Sequence, residues 1–244
     1  MIKIAIFASG SGSNAENIAN YFAESNTVSI PLIISNKKDA YVHERAKKLG
    51  IKSVTFSKNE FETSEAVLDC LKENKIDFIV LAGFLLKVPD NILEAYPGKI
   101  VNIHPALLPK FGGKGMYGDN VHKAVVEARE TESGITIHYV NENYDEGAII
   151  FQAKCPVLKS DTYEDVAKKV HTLEYTHFPV VISSVLDQTF YFDWFSVLPS
   201  GSFTFTSSLF TVLALTIVRR APLSTEVLSF FVLIFLSAAP CVGC

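Results

Sequence analysis

Short aliphatic runs alternate with segments of helical spacing from residue 1 to about residue 186, and this alternation restricts the chain more than any other feature. The runs that read as strands are Ile2–Ala8, Ser29–Ser35, Phe78–Ala82, Ile100–Asn102, Ile135–Val140 and Ala148–Lys154. Several are continuously apolar, the pattern of strands covered by helices on both faces. Between them, Asn14–Ser25, Val42–Leu49, Glu60–Glu73 and Asp119–Glu130 carry apolar residues at helical spacing. Asp161-Thr162-Tyr163-Glu164 has the form of a capping box with Asp in the usual Ser or Thr position. It predicts the start of a long helix reaching toward Leu186. Strands and helices in this order build βαβ units. The expected fold is therefore α/β: a Rossmann-like, mostly parallel twisted sheet with helices on both faces.

The pattern then stops. Lys is spread from Lys3 to Lys169 and is absent afterwards, and beyond Leu186 the only charges are Asp187, Asp193, Arg219, Arg220 and Glu226. The composition places a boundary there, with one α/β domain over 1–186 and an atypical hydrophobic tail over 187–244. Within the tail, Phe203–Val218 and Val227–Ala239 are strongly apolar, yet each is shorter than the ~20 residues a membrane-spanning helix needs. Three readings stand. The tail did not evolve with the rest of the chain, as in a frameshifted or read-through C-terminus, which is the expected case. It is a strand or helix that covers the domain or a dimer partner. Or it is a hairpin of short helices in a membrane, with Arg219 and Arg220 on the cytoplasmic side. Cys241-Val-Gly-Cys244 has Cys-x-x-Cys form, but a single such pair says little about zinc or redox chemistry.

Charge and cysteine usage exclude some classes. The net charge of -4 leaves no basic stripe for a nucleic acid. Cys70, Cys155, Cys241 and Cys244 are too scattered for a disulfide scaffold. Met1–Ala8 reads as a buried strand rather than a signal peptide, so a reduced, cytoplasmic protein is expected.

The first strand runs into Ser9-Gly10-Ser11-Gly12-Ser13-Asn14 and then a helix. Such a loop lets backbone N–H groups and the positive helix end meet a phosphate. With Ala15 it also matches Gly-x-Gly-x-x-Ala, a dinucleotide fingerprint. That motif expects an acid at the end of the next strand, where this chain has Ser35-Asn36-Lys37-Lys38, residues that suit the extra phosphate of NADP. A phosphate, a dinucleotide and a tight turn without ligand all remain open on the loop alone.

The run Lys99-Ile-Val-Asn-Ile-His-Pro-Ala-Leu-Leu-Pro109 is more informative. Asn102 and His104 are two residues apart in a strand and face the same side, and Pro105 ends the ladder. Ligands of open α/β sheets collect at this carboxyl end. An amide that can bind an oxyanion, beside an imidazole that can move a proton, suits acyl transfer. The plainer alternative is a strand cap and a structural histidine. Asp145, in the loop Asn141–Gly147, is positioned to tune the imidazole, or is a solvated turn residue. No His-x-x-x-His or Cys-x-x-Cys spacing occurs in the α/β part, so no metal is expected.

Together, Gly10-Ser-Gly-Ser-Asn14, Val80-Leu-Ala-Gly-Phe84, Asn102-Ile-His-Pro-Ala-Leu-Leu-Pro109, Ser133-Gly-Ile-Thr-Ile-His138 and Tyr144-Asp-Glu-Gly147 resemble the glycinamide ribonucleotide formyltransferase family, in family order. The Asn-x-His-Pro-x-Leu-Leu-Pro run is shared with other formyl-folate enzymes, including methionyl-tRNA formyltransferase and formyltetrahydrofolate hydrolase; the Gly-Ser-Asn loop favours the ribonucleotide enzyme. The resemblance implies a formyltransferase catalytic domain over 1–186 that moves the formyl group of 10-formyltetrahydrofolate to the amine of glycinamide ribonucleotide, by direct amine attack. It assigns catalysis to Asn102, His104 and Asp145, the substrate phosphate to Gly12, Ser13 and Asn14, and a ribonucleotide contact to Glu174. The folate falls to Leu85, Leu86, Lys87 and Val88 with Asn102. Partners are the two small molecules, with no nucleic acid, and a homodimer is left open.

The chain also departs from the pattern. Relatives often carry Met-Arg after Gly-Phe, where Leu85-Leu86-Lys87 stands here, and an Arg of the preceding helix corresponds to Ser64. The glycine-rich Phe111–Gly118 reads as a mobile active-site loop, because it lacks the Gly-Lys-Ser/Thr of a nucleotide P-loop. His122 and His138 are expected to be structural, buried and hydrogen-bonded.

Overall fold

The computed structural model describes residues 1–196, 213–221 and 224–232. Strands β1 (Ile2–Phe7), β2 (Val28–Ser35), β3 (Lys52–Thr55), β4 (Phe78–Leu81), β5 (Ile100–His104), β6 (Glu132–Tyr139) and β7 (Ile149–Pro156) join in one sheet ordered β3-β2-β1-β4-β5-β6-β7. From β3 to β5 neighbours are parallel. β6 and β7 complete the other edge antiparallel. The mostly parallel α/β sheet expected from the sequence is the one found.

Helices α1 (Ser13–Tyr21), α2 (Val42–Leu49), α3 (Lys58–Thr63), α4 (Ala66–Glu73), α5 (Asp90–Ala95), α6 (Asp119–Glu127) and α7 (Tyr163–Ser196) connect the strands. The core lies on both faces, and the alternation of strand side chains divides it. On one face Ile4, Ile6, Val80, Val101 and Ile103 pack with Ile18 of α1, Val42 of α2 and Val166, Phe178 and Ile182 of α7. On the other, Ala5, Phe7, Ile79 and Ile100 pack with Phe61 of α3, Leu68 and Leu71 of α4 and Ile92 of α5.

Three local features differ from the sequence reading. The helix expected over Glu60–Glu73 is two helices: Ser64 turns extended, and its hydroxyl donates back to the Glu60 carbonyl (2.6 Å) to end the first. β3 and α5 emerge only in the tertiary structure: β3 is a four-residue, half-exposed edge strand without apolar periodicity, and α5 spans only six residues. The box at the start of α7 is shifted by one. Thr162 is the cap: its Oγ1 accepts from the Asp165 N–H (3.3 Å) and the Asp165 carboxylate accepts from the Thr162 N–H (3.1 Å). Asp161 instead accepts from the Leu158 N–H (2.8 Å) and pairs with Lys169.

The chain divides into two units, Met1–Phe190 and Tyr191–Cys244. In the second, β8 (Leu213–Ala221) pairs antiparallel with β9 (Ser224–Val232), in a register running from Leu213↔Val232 to Ala221↔Ser224. Where they are described, the two apolar runs of the tail are thus strands and not a pair of short helices, in keeping with their β-branched and aromatic content. The rest of those runs, and Cys241 to Cys244, lie outside the described residues. Among the described residues no helix is long and apolar enough to cross a membrane.

Candidate active site

The carboxyl ends of β1, β4 and β5 open onto a cavity of about 640 Å³. This is where an open α/β sheet places its ligands, because the loops leaving adjacent parallel strands part there. The first loop is held in shape from several sides. Gly12 caps α1 in the left-handed region (φ 72°), and a side chain there would strike Val42 at 2.4 Å. Arg45 donates through Nε to the Ser11 carbonyl (2.9 Å) and pairs with Glu16 in the first turn of α1. That pairing offsets a carboxylate that would otherwise repel an anion at this helix end. Ser9 ties the loop to the next one: its N–H donates to the Gly83 carbonyl (3.0 Å), and its hydroxyl accepts from the Leu85 N–H (2.9 Å). Gly12, Ser13 and Asn14 all line the cavity.

Asn102 and His104 stand at the end of β5, on the side opposite Val101 and Ile103. His104 is 3% exposed, and its Nε2 lies 2.8 Å from the Phe111 carbonyl, an acceptor only, so this nitrogen carries the proton of the neutral ring. Its Nδ1 faces Asp145 Oδ2 at 3.5 Å. Asp145 reaches this position from a loop residue at φ 58°, a backbone conformation that Asp tolerates better than most side chains. Its Oδ2 also accepts from the Gly113 N–H (2.8 Å) in the glycine-rich loop.

Burial holds the His104 imidazole below its ordinary pKa; Asp145 and the Phe111 carbonyl oppose this without overcoming it. For Asp145, burial pushes upward, but the His138 contact, the His104 charge and the Gly113 N–H together hold the carboxyl below the usual carboxylate range. The pair is thus a neutral base whose open nitrogen looks at a fixed negative charge. That arrangement favours proton uptake at Nδ1.

A second polar group forms where α1 meets α7. Glu174 is 5% exposed, and its Oε2 accepts from Asn14 Nδ2 and from His171 Nδ1, each at 2.9 Å. The Glu174 hydrogen bond pushes the His171 imidazole up. The two expected ribonucleotide contacts, Asn14 and Glu174, are thus direct neighbours although 160 positions apart. The Asn14 Oδ1 is buried without a hydrogen-bond partner among the described residues.

The four residues expected at the folate divide. Leu85 and Leu86 line this cavity beside Asn102. Lys87 and Val88 line a neighbouring cleft with Ser64 and Glu65, and the buried Val88 side chain belongs to the core. Ser64 is spent on ending α3.

Some residues at the site are not legible as such in the sequence. His138 is buried as expected, but it also touches Asn102 (3.0 Å) and approaches Asp145 Oδ1 (3.7 Å). Its role depends on the antiparallel register Asn102↔His138, which no local pattern reveals. His122 is buried but, against expectation, its Nδ1 has no hydrogen-bond partner among the described residues; it lies on α6 with its ring 6.3 Å from that of His171. Arg45 and His171 carried no motif. Among the described residues no group of three or more His, Cys, Asp or Glu is placed to hold a metal ion.

The family described as Formyl transferase matches residues 2–182. The phosphoribosylglycinamide formyltransferase of Bacillus subtilis is 38% identical over 191 residues, covering 76% of this chain and 95% of its own. The chloroplastic phosphoribosylglycinamide formyltransferase of Arabidopsis thaliana is 40% identical over 192 residues. The chain spans 66% of that plant relative's length and 61% of the one from Vigna unguiculata. The crystal structure of phosphoribosylglycinamide formyltransferase from Streptococcus pneumoniae TIGR4 superposes with a TM-score of 0.68 at 38% identity, over 76% of this chain and 99% of its own. With the fold, the loop and the Asn102–His104–Asp145 cluster already in place, these likenesses settle the kinship: the chain belongs to the formyl transferase family, alongside the phosphoribosylglycinamide formyltransferases.

Proposed function

We propose that this chain transfers the formyl group of 10-formyltetrahydrofolate to the amine of glycinamide ribonucleotide, a step of purine synthesis. The observation that carries the reading is the convergence of Asn102, His104 and Asp145 at one end of a cavity. The same cavity is lined by the Gly12–Asn14 helix end and by Leu85 and Leu86. The phosphate of the ribonucleotide sits on the backbone of Gly12, Ser13 and Asn14 at the α1 N-terminus. Glu174 meets the ribose-bearing part. The backbone around Leu85–Val88 receives the pterin of the folate, with the Leu85 and Leu86 side chains in the cavity and the formyl group at Asn102.

In this geometry the amine nitrogen attacks the formyl carbon and forms a C–N bond, while the carbonyl electrons move to oxygen. An N–H of the Asn102 amide meets that oxyanion, a contact typically worth ~3–4 kcal/mol. His104 Nδ1 takes the proton released by the amine, and the imidazolium is met by Asp145. Collapse breaks the bond between the formyl carbon and N10 of the folate, and the proton passes to N10. No proton is gained or lost overall. Holding both reactants in one cavity supplies a further share of the rate. We read the compartment as the cytoplasm and a homodimer as compatible with the fold; fractionation and light scattering decide these.

The test mixes the protein with glycinamide ribonucleotide and 10-formyltetrahydrofolate and follows both products, with His104→Ala as control. Formylated ribonucleotide from the parent, nearly lost in the control, supports the proposal. Deformylated folate without formylated ribonucleotide replaces it with a hydrolase, and no turnover with either substrate sinks it.

A further inference from the structure

β6 is irregular at one point. Its register with β7 shifts at His138: Ile137 pairs with Phe151 but His138 with Ile149, so β7 carries an extra residue, Ile150, opposite the stretch of β6 that passes the active site. Such a bulge disrupts the ladder locally, and the His138 side chain and the Tyr139 carbonyl lie beside it. The His138 ring turns so that Nδ1 lies 2.8 Å from the carbonyl of Tyr139, the next residue along the chain. That carbonyl is itself fixed. The Tyr139 N–H donates to the Ala148 carbonyl (2.9 Å), and a side chain at Gly147 would come within 1.7 Å of the Tyr139 oxygen. Glycine stands at 147 to let this oxygen lie where it does.

A carbonyl oxygen only accepts, so His138 Nδ1 must carry a proton. A neutral imidazole has one N–H, which leaves Nε2 with a lone pair. The atom 3.0 Å from Nε2 belongs to the Asn102 amide, brought there by the cross-strand register Asn102↔His138. Facing a lone pair, the amide must present Nδ2 and not Oδ1. Asp145 Oδ1, at 3.7 Å from Nε2, is beyond hydrogen-bond length, so the Asn102 amide is the hydrogen-bond partner of that nitrogen.

We propose that His138 is a positioning residue for formyl transfer: its Nδ1–H tautomer, set by the Tyr139 carbonyl, holds the Asn102 amide nitrogen-inward and commits the second N–H of Nδ2 to the formyl oxyanion. The proposal rests on the formyl-transfer reading above. Asn102 makes no other side-chain hydrogen bond among the described residues, so without His138 its amide is free to turn over and present an oxygen, which repels the oxyanion.

Two measurements test it. Ring-nitrogen NMR on isotope-labelled parent enzyme near neutral pH reports the His138 tautomer directly and needs no activity. The expected result is protonated Nδ1 with a lone pair on Nε2. A proton on Nε2, alone or in the doubly protonated ring, overturns the proposal, because the amide would then face His138 with its oxygen. The second measurement is a kinetic cycle. His138→Asn keeps a donor for Tyr139 but has nothing at the Nε2 position, whereas His138→Gln carries an oxygen acceptor to about that position. His138→Asn is expected to lower kcat about 10- to 100-fold, somewhat less than deleting an oxyanion donor. Both KM values should stay within about threefold, and His138→Gln should recover most of the loss. In an Asn102→Ala background, His138→Asn should cost less than about twofold further, since its effect runs through Asn102. A full, additive loss in that background overturns the proposal even if the single variant is slow. A parent without formyl transfer would defeat the functional reading and leave the tautomer result standing by itself.

Discussion

At the scale of single residues, the site is built from side chains whose polar atoms are already committed before any ligand arrives. His104 donates its Nε2–H to the Phe111 carbonyl and turns its Nδ1 lone pair to Asp145, and burial holds its pKa below the ordinary imidazole value. This sets a pH dependence. The base is lost only when pH falls through the lowered His104 value, so the acid limb of kcat/KM should lie below about 6.5. Asp145 raises the His104 value, so Asp145→Asn should lower both the rate and the midpoint of that limb. A profile whose acid limb moves upward in Asp145→Asn would contradict the electrostatics. Gly12 is committed by space and by backbone together. Its φ of 72° and the 2.4 Å approach of Val42 leave no room for a methyl group. Gly12→Ala should raise KM for the ribonucleotide at least about tenfold, the equivalent of ~1.4 kcal/mol of lost binding, with the folate KM nearly unchanged. Steady-state kinetics with each substrate varied in turn decides it.

At the scale of elements, what matters is which ends meet. The N-terminus of α1 suits the phosphate proposed for it because β1 delivers it to the strand ends and because Arg45 of α2 pairs with Glu16. Helix α7 closes the same end from far along the chain, bringing Glu174 to Asn14 and adding His171. That last contact has a stability signature. The folded His171 pKa is raised by Glu174, so its contribution is fully present below the unfolded imidazole value, about 6.5, and is lost as pH rises through the folded value. His171→Gln should therefore lower the melting temperature more at mildly acidic than at alkaline pH. The effect should be small, since the His171 side chain is half exposed. Melting curves of the two proteins across that range test it, and a difference that grows with rising pH would refute it.

At the scale of the whole molecule, the Met1–Phe190 unit carries the seven-stranded sheet, both core faces and the entire candidate site. A chain ending after Phe190 should fold, unfold cooperatively in urea and keep kcat/KM within about threefold of the full chain, since every described residue of the site lies before that point. Aggregation of that shorter chain, or loss of its activity, would show that the Tyr191–Cys244 unit is needed after all.

Much of this was written in local patterns. Continuous aliphatic runs such as Ile4–Phe7 and Phe78–Leu81 announce buried strands because both of their faces are covered. Asn102 and His104 announce a site because two polar side chains of one parity at the end of such a run need a reason to be there. Lost to sequence reading were elements too short for periodicity, such as β3 and α5, and a helix break at one serine, Ser64. The sequence by itself determined the sheet, the glycine loop that enters α1 and the pair of polar residues at the strand end, since each follows from residue spacing along one segment. Only the tertiary structure decided that His138 faces Asn102, that Glu174 meets Asn14, and that Leu86 and Lys87 part into different clefts. Those pairings depend on the register and packing of segments far apart in the chain. The free energy that selects them is spread over the whole core, so no local pattern records it.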